Sequence, residues 1–146
     1  ALTNAVPGYG RAGKLVEMEE RLEELRELHR QHPEKEVREW LAKALTNAVA
    51  HRDYRIPGSV QVRLEEDRVE VWSPGGLPAG LSPGALLAPH PSLPPNPLLA
   101  RALERLGHMR GWGTGTLEMA ERCRAAGLPP PEYRLEGGAL RLILRR

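Results

Sequence analysis

The stretch VREWLAKALTNAVAHRDY, residues 37–54, carries the strongest structural signal in the chain. Its apolar residues recur at three- and four-residue spacing, which at about 100° per residue places them on one side of a helix. They are Val37, Trp40, Leu41, Ala44, Leu45, Ala48 and Val49. A stripe this wide predicts a buried helix, and we expect the other elements to pack around it.

Three polar side chains lie along one edge of this apolar face, at successive helical turns: Lys43, Asn47 and His51. A buried polar group without a hydrogen-bond partner costs about 1–3 kcal/mol, so this edge predicts partners. For the majority of buried polar side chains, other groups of the protein supply these partners. A ligand or metal ion along the edge is the alternative, and the pattern leaves both open.

Composition narrows the class of protein. A length of 146 residues predicts one domain. The net charge is +2, with acidic and basic residues interspersed, which argues against a dedicated nucleic-acid surface. Cys123 is the only cysteine, so no disulfide forms within the chain and a reducing cytoplasm is expected. The N-terminus lacks the charged-then-apolar pattern of a signal peptide, and no apolar run approaches the roughly 20 residues of a membrane span, so a soluble protein is expected.

Two further expectations concern the origin of the chain. A composition rich in arginine and proline and without phenylalanine is typical of a thermophile or of a GC-rich genome. Because the chain begins at Ala1 rather than at a methionine, we expect a fragment of a longer protein.

Residues 1–36 form an N-terminal region of their own in this interpretation. A lead-in rich in glycine and proline precedes an amphipathic helix over residues 14–31, which ends before Pro33. Its narrow apolar stripe either packs on the chain's own domain or forms a two-helix seam with a partner chain or a missing domain. The region is therefore a linker or an interaction helix, with a homodimer as one outcome.

Residues 37–146 alternate between helical and strand patterns. Alternating residues predict antiparallel hairpins over 60–72 and 133–144, the second turning at Gly137-Gly138. Further helices are predicted from Asn96-Pro97, with Asn96 as N-cap, and over 116–126. These elements predict an α+β two-layer sandwich, with a mostly antiparallel sheet packed on helices. The segment 73–97, rich in proline and glycine, is either a functional lid or disordered.

The cluster Gly113-Thr114-Gly115 opens directly onto a helix. Backbone N–H groups at a helix start have no helical partner and attract anions such as phosphate, although such glycines are also ordinary turn residues. The cluster is not a GxxxxGK[ST] phosphate loop, and no GxGxxG follows a strand. His51-Arg52-Asp53 is not a kinase catalytic loop, because a chain without phenylalanine has no Asp-Phe-Gly motif.

Five motifs occur in a fixed order: residues 44–54 (ALTNAVAHRDY), 72–78 (WSPGGLP), 96–98 (NPL), 113–115 (GTG) and 127–131 (GLPPP). Together they resemble the ATP-binding C-terminal domain of bacterial transcriptional regulators often labelled RecG-related ATP-dependent DNA helicases. That family is a branch of the GHKL (gyrase, Hsp90, histidine kinase, MutL) ATPase superfamily. The resemblance covers residues 37–146.

The resemblance implies a domain that holds ATP and Mg²⁺ between a helical layer and a flexible lid, here residues 77–95. Asn47 would hold Mg²⁺ through its side-chain carbonyl, which suits a hard cation. The implied nucleotide contacts are Asn47, Lys43 and His51 on the helix, Gly75 and Gly76 beside the base, and Gly113, Thr114 and Gly115 at the phosphates.

Two positions depart from the superfamily pattern. Lys43 stands where catalytic members carry the glutamate that polarises water; a protonated lysine is no general base, but it can pair with a phosphate. Ser73-Pro74 replace the aspartate that reads the adenine amino group. ATP binding is thus the primary expectation and hydrolysis is an open question. His51, Arg52 and Asp53 either end the helix as a capping cluster or act at the phosphates.

We therefore interpret the chain as the regulatory nucleotide-binding C-terminal module of a RecG-related regulator, with DNA contacted through the full-length protein. It lacks the paired phosphate-loop domains of a helicase motor. One alternative is a winged-helix-like DNA-binding module with residues 60–72 as the wing. Another is a degenerate GHKL fold kept for dimerisation through residues 14–31.

Overall fold

A four-stranded antiparallel sheet forms one layer of the fold and helices form the other. The computed structural model describes Glu23, residues 35–110 and residues 113–145. The elements are α1 Lys35–His51, β1 Gln61–Leu64, β2 Arg68–Pro74, a 3-10 helix Pro83–Leu87, α2 Pro97–Arg105, α3 Gly115–Ala125, β3 Glu132–Glu136 and β4 Ala139–Arg145. The predicted α+β arrangement is confirmed. In these ranges no helix has both the length and the apolarity that crossing a bilayer requires.

The predicted helix over residues 14–31 lies outside the described residues, apart from Glu23, which is helical. Its proposed role as a linker, an intramolecular packing element or a dimer seam therefore stays a prediction.

The strand order is β1-β2-β4-β3, so the two sequence-local hairpins join side by side through β2 and β4. Val71 of β2 lies opposite Leu142 of β4 at the centre of this pairing. Both Gly137 and Gly138 have positive φ angles, 58° and 75°, as a two-residue turn between twisted strands requires. The glycine pair predicted as the turn of the second hairpin therefore has a backbone that other residues adopt poorly.

The apolar face of α1 packs on the sheet, as its periodicity predicts. Alternate residues of β2 and β4 face the helix and are buried, among them Val69, Val71, Leu142 and Leu144. Met119 and Cys123 bring α3 into the same core. The polar edge of α1 is thereby left facing the space beside α3.

The carboxyl end of α1 is held by side chains from three other segments. The last carbonyl groups of a helix lack helical partners and need donors from elsewhere. The carbonyls of Ala48, Val49 and Ala50 accept from Ser73 Oγ (2.8 Å), the Tyr54 hydroxyl (3.0 Å) and Asn96 Nδ2 (3.0 Å). Asn96 stands at the N-cap position of α2 without making a side-chain cap there, because its amide donates to α1 instead.

The opposite face of the sheet carries a buried carboxylate, although alternation in the first hairpin predicts a solvated face. Glu70 is fully buried and accepts from Arg68 Nε (2.7 Å) and Arg141 Nη2 (2.6 Å). The Arg141 guanidinium also stacks 4.6 Å from the Trp72 ring centroid. The long arginine side chains thus cover apolar surface while they neutralise the acid.

We expect Glu70→Gln to remove an acid-sensitive part of the stability. Burial raises the pKa of Glu70, but hydrogen bonds from Arg68, Arg141 and Trp72 outweigh burial and lower the pKa to about 2 from the usual 4.5. A lowered folded-state pKa stabilises the fold above pH 4.5, and that stabilisation is lost as pH falls towards 2. Chemical denaturation at pH 7 and pH 3 should show a smaller decrease in unfolding free energy for the variant.

Glu132→Gln is the matched control, since Glu132 also pairs with an arginine on this sheet but is 40% exposed. Its pH dependence should equal that of the wild type. Identical pH dependence in all three proteins would contradict the role given to Glu70.

Candidate functional site

A cavity of about 700 Å³ lies between α1, the start of α3 and the loop that follows β2. This volume lies within the range of roughly 300–1,000 Å³ typical of small-molecule sites. The predicted site residues that line it are Lys43, Asn47, His51, Gly75, Gly76, Gly113 and Gly115. The fold therefore brings together residues that are distant in sequence.

Asn47 and Gly115 meet at one end of the cavity. Asn47 is half-buried on α1, and Gly115 is the first residue of α3. A Cβ atom on Gly115 would lie 3.3 Å from Asn47 Nδ2 and 3.6 Å from Oδ1. The absence of a side chain at Gly115 thus lets the Asn47 amide lie against the positive end of the α3 dipole.

Lys43 lies one turn before Asn47 and forms an ion pair with Glu118 of α3. Thr114 Oγ1 donates to the other carboxylate oxygen of Glu118 at 3.3 Å, and Arg110 Nη1 lies 3.5 Å from the same oxygen. The hydrogen bond from Lys43 is the main reason that the pKa of Glu118 is lowered. Thr114 is not part of the cavity wall, and its hydroxyl contacts Glu118 instead.

The predicted lid segment, residues 77–95, directly contacts the entrance to α3 at the second glycine cluster, Gly113-Thr114-Gly115. His90 Nε2 lies 2.9 Å from Thr116 Oγ1. Gly113 has a φ angle of 67°, and a Cβ there would lie 2.4 Å from the His90 carbonyl oxygen. Only glycine allows this approach, so the segment 90–92 rests on the backbone at the entrance to α3.

The first glycine cluster, Gly75-Gly76, also borders the cavity. Gly75 has a φ of 121°, its N–H donates to the Gly138 carbonyl at 2.9 Å, and a Cβ on it would lie 3.0 Å from Asp53 Cβ. A Cβ on Gly76 would have no neighbour within 4 Å. Ser73 is buried beside them and donates its hydroxyl proton to Ala48. Gly75 is thus required by packing, whereas Gly76 adjoins open space.

The residues after Asn47 have separate roles. His51 lines the cavity, and burial, followed by the nearby His90, lowers its pKa. Arg52 is fully buried and donates to the carbonyls of Ile56 (3.2 Å) and Gly58. Its guanidinium lies 4.5 Å from the Tyr54 ring centroid. Arg52 therefore belongs to the structural turn after α1, while His51 faces the cavity.

Asp53 joins that turn to the cavity wall. Its backbone N–H donates to the Pro74 carbonyl at 2.8 Å. Hydrogen bonds from Arg55 lower the pKa of its carboxyl to about 2. Asp53 is therefore ionised at neutral pH and already paired.

Sequence reasoning did not identify Glu118, Arg110 or His90 as site residues. Glu118 in the first turn of a helix has the usual signature of dipole compensation, so its sequence position gives no sign of a cavity. His90 and Arg110 lie in irregular segments without periodicity. Only tertiary packing brings Glu118 to Lys43, and His90 to Thr116 and His51. The same packing places Arg110 beside Glu118.

The described residues offer few metal ligands. They contain no group of three or more histidine, cysteine, aspartate or glutamate side chains placed to hold a metal ion. An Mg²⁺ ion commonly takes only one or two protein oxygens and completes its shell with phosphates and water. Asn47 Oδ1, in the cavity wall beside the start of α3, fits that manner of binding.

The chain is similar to a known protein family and to solved structures. The family model described as "Putative ATP-dependent DNA helicase recG C-terminal" matches residues 58–144, more than half of the chain. These residues include both glycine clusters and follow α1. Among solved structures, the DIP2311 protein from Corynebacterium diphtheriae is similar, with 30% identity and a TM-score of 0.65. That match covers 74% of this chain and 23% of that chain. A comparison with curated proteins found no match.

Proposed function

We propose that this chain, which belongs to the family of RecG C-terminal ATP-dependent helicase domains, binds ATP with Mg²⁺ in the cavity beside α1. The observation that carries the proposal is the approach of the Asn47 amide to Gly115 at the start of α3. A carbonyl ligand for a hard cation and the N–H groups of a helix start then face the same small volume. Mg²⁺ and phosphate are the partners that suit these two features together.

The phosphates would lie at the end formed by α1 and α3. The N–H groups of the first turn of α3 would donate to phosphate oxygens, and Asn47 Oδ1 would hold Mg²⁺ beside them. Lys43 supplies a positive charge at the same end of the cavity. Bound Mg²⁺ would supply charge neutralisation for the phosphates.

The base would lie at the end formed by the first glycine cluster. Ser73 already donates its proton to Ala48, so its oxygen is left to accept from an amino group such as that of adenine. The open space beside Gly76 gives a planar ring room to enter. Val71, Leu140 and Leu142 provide apolar wall there. Ser73 would thus accept a hydrogen bond from the adenine amino group, which is the role that an aspartate has in other members of the superfamily.

We infer that nucleotide binding, rather than turnover, is the function of the domain. Lys43 occupies the position of the water-polarising glutamate, and a protonated lysine cannot accept a proton from water. A domain that binds without turnover suits a regulatory C-terminal module of a RecG-related regulator whose DNA contacts are made elsewhere. We also propose that residues 37–146 form a GHKL-like nucleotide-binding domain.

The DNA-binding alternative has less support. Arg122 and Arg124 of α3 pair with Glu39 and Glu121, so these cations are partly neutralised. The hairpin proposed as a wing is built into the sheet, because β2 pairs along its length with β4. Neither feature favours a helix that enters the major groove of DNA or a hairpin that acts as a wing beside it.

Nucleotide titration tests the proposal. We expect ATP, ADP and a non-hydrolysable ATP analogue to raise the melting temperature and change tryptophan fluorescence, and Mg²⁺ to strengthen the response to the triphosphates. A ligand at 100 times its Kd stabilises a protein by about 2.7 kcal/mol, which a thermal melt resolves. No response to any nucleotide at millimolar concentration would refute the proposal.

A further inference from the structure

Glu118 is an anion built into the end of the cavity where the proposed function places phosphate. It lies in the first turn of α3 and lines the cavity together with Lys43 and Arg110. Its carboxylate is approached by groups from α1, from the second glycine cluster and from the segment before that cluster: Lys43, Thr114 and Arg110. Both carboxylate oxygens are thus engaged by donors or cations that could equally serve a phosphate oxygen.

The exposure of these side chains indicates that the arrangement can exchange. Lys43 and Glu118 each keep 29% of their side-chain surface exposed, and Arg110 keeps 80%. Ion pairs with this much access to water contribute little to stability. An incoming anion can therefore compete for Lys43 and Arg110 without a large loss of folding free energy.

We propose that Glu118 occupies the phosphate-binding cations while the site is empty, and that the terminal phosphate of a nucleotide displaces it from Lys43. This inference rests on the proposed function, because it assigns the phosphate end of that same cavity. The carboxylate then makes affinity depend on how strongly the ligand competes as an anion. A triphosphate competes best, a diphosphate less well, and adenosine does not compete at all.

The arrangement has a consequence for specificity. Without Glu118, the positive charges of Lys43 and Arg110 would attract any small anion that enters the cavity, and the lysine ammonium in particular selects weakly among anions. With Glu118 in place, an incoming anion has to replace a carboxylate that already pairs with these cations, so an anion with a single charge gains little by entering. The internal carboxylate thus favours ligands that carry several phosphates and Mg²⁺.

The substitution Glu118→Gln tests the inference, because it keeps the shape of the side chain and removes its charge. We expect the variant to bind Mg²⁺–ATP and inorganic tripolyphosphate about threefold more tightly, the size of effect that partly exposed ion pairs produce. Adenosine affinity should not change. Lys43→Met should weaken binding of ATP and tripolyphosphate and should leave adenosine unaffected. Calorimetric titration gives all of these constants.

Glu121→Gln is the matched control, since Glu121 lies on the same helix, pairs with Arg124 and does not line the cavity. It should bind every ligand as the wild type does. Melting temperatures of the unliganded proteins show whether each variant is folded, and Glu118→Ala repeats the test with a shorter side chain.

The outcomes separate the two proposals. Unchanged or weaker ATP and tripolyphosphate binding in Glu118→Gln would overturn the inference and leave nucleotide binding standing. Tighter tripolyphosphate binding in that variant, with no ATP or adenosine bound by either protein, would support the internal anion and refute the nucleotide site. Loss of ATP turnover in Glu118→Gln without a gain in affinity would assign the carboxylate to water activation and overturn the inference.

Discussion

Replacing Asn47 with alanine should reduce the affinity for Mg²⁺–ATP by roughly 10- to 100-fold, the range in which loss of supporting groups weakens metal sites. The physical reason is that the Asn47 carbonyl would supply a ligand to Mg²⁺, and alanine offers none. The loss should be much smaller in EDTA, where the phosphates bind without the ion. Calorimetric titration with and without Mg²⁺ measures both affinities.

Asn96→Ala is the matched control for this variant. Asn96 is also a partly buried asparagine that contacts α1, but it donates to the carbonyls of Ala50 and Arg52 and does not line the cavity. Its loss should lower the unfolding free energy by about 1–2 kcal/mol and leave the Mg²⁺ dependence of ATP affinity intact. Equal Mg²⁺ dependence in the wild type and Asn47→Ala would show that the metal is held elsewhere.

Replacing Gly113 with alanine should separate the lid segment from α3 and weaken nucleotide binding more than any other glycine substitution in the cavity wall. The new Cβ would lie 2.4 Å from the His90 carbonyl oxygen, so backbone has to move. The left-handed φ of 67° adds about 1–2 kcal/mol of strain. Chemical denaturation and ATP titration measure the two effects.

Gly127→Ala isolates the strain from the displacement. Gly127 has nearly the same φ, 70°, but a Cβ there would have no neighbour within 4 Å. We expect it to lower stability by the strain alone and to keep wild-type ATP affinity. If the two variants lost the same stability and the same affinity, the contact between the lid segment and the glycine cluster would have no role.

Much of the fold follows from local periodicity. The apolar stripe from Trp40 to Val49 predicts α1, and alternation with the Gly137-Gly138 turn predicts the second hairpin. The adjacency of β2 and β4 cannot be predicted in this way, because pairing between distant strands has no local signal. The burial of Glu70 was missed for the same reason, since Arg141, which neutralises it, comes from β4.

Part of the candidate site can also be predicted from helical periodicity. The polar edge of α1 identifies Lys43, Asn47 and His51, because groups on a core-facing helix need partners. A helix pattern does not encode which residues of another helix those partners are. Glu118 can therefore be identified as the partner of Lys43 only from the tertiary packing of α1 beside α3.

The most direct test of the central claim is amide chemical-shift mapping of the ¹⁵N-labelled chain during titration with Mg²⁺ and a non-hydrolysable ATP analogue. If the nucleotide lies between α1 and α3, the largest shifts should fall on Asn47, Gly76 and Gly115, with smaller ones along the lid segment. Shifts that cluster on the outer face of the sheet around Glu70 and Trp72, or no shifts at saturating ligand, would contradict the account.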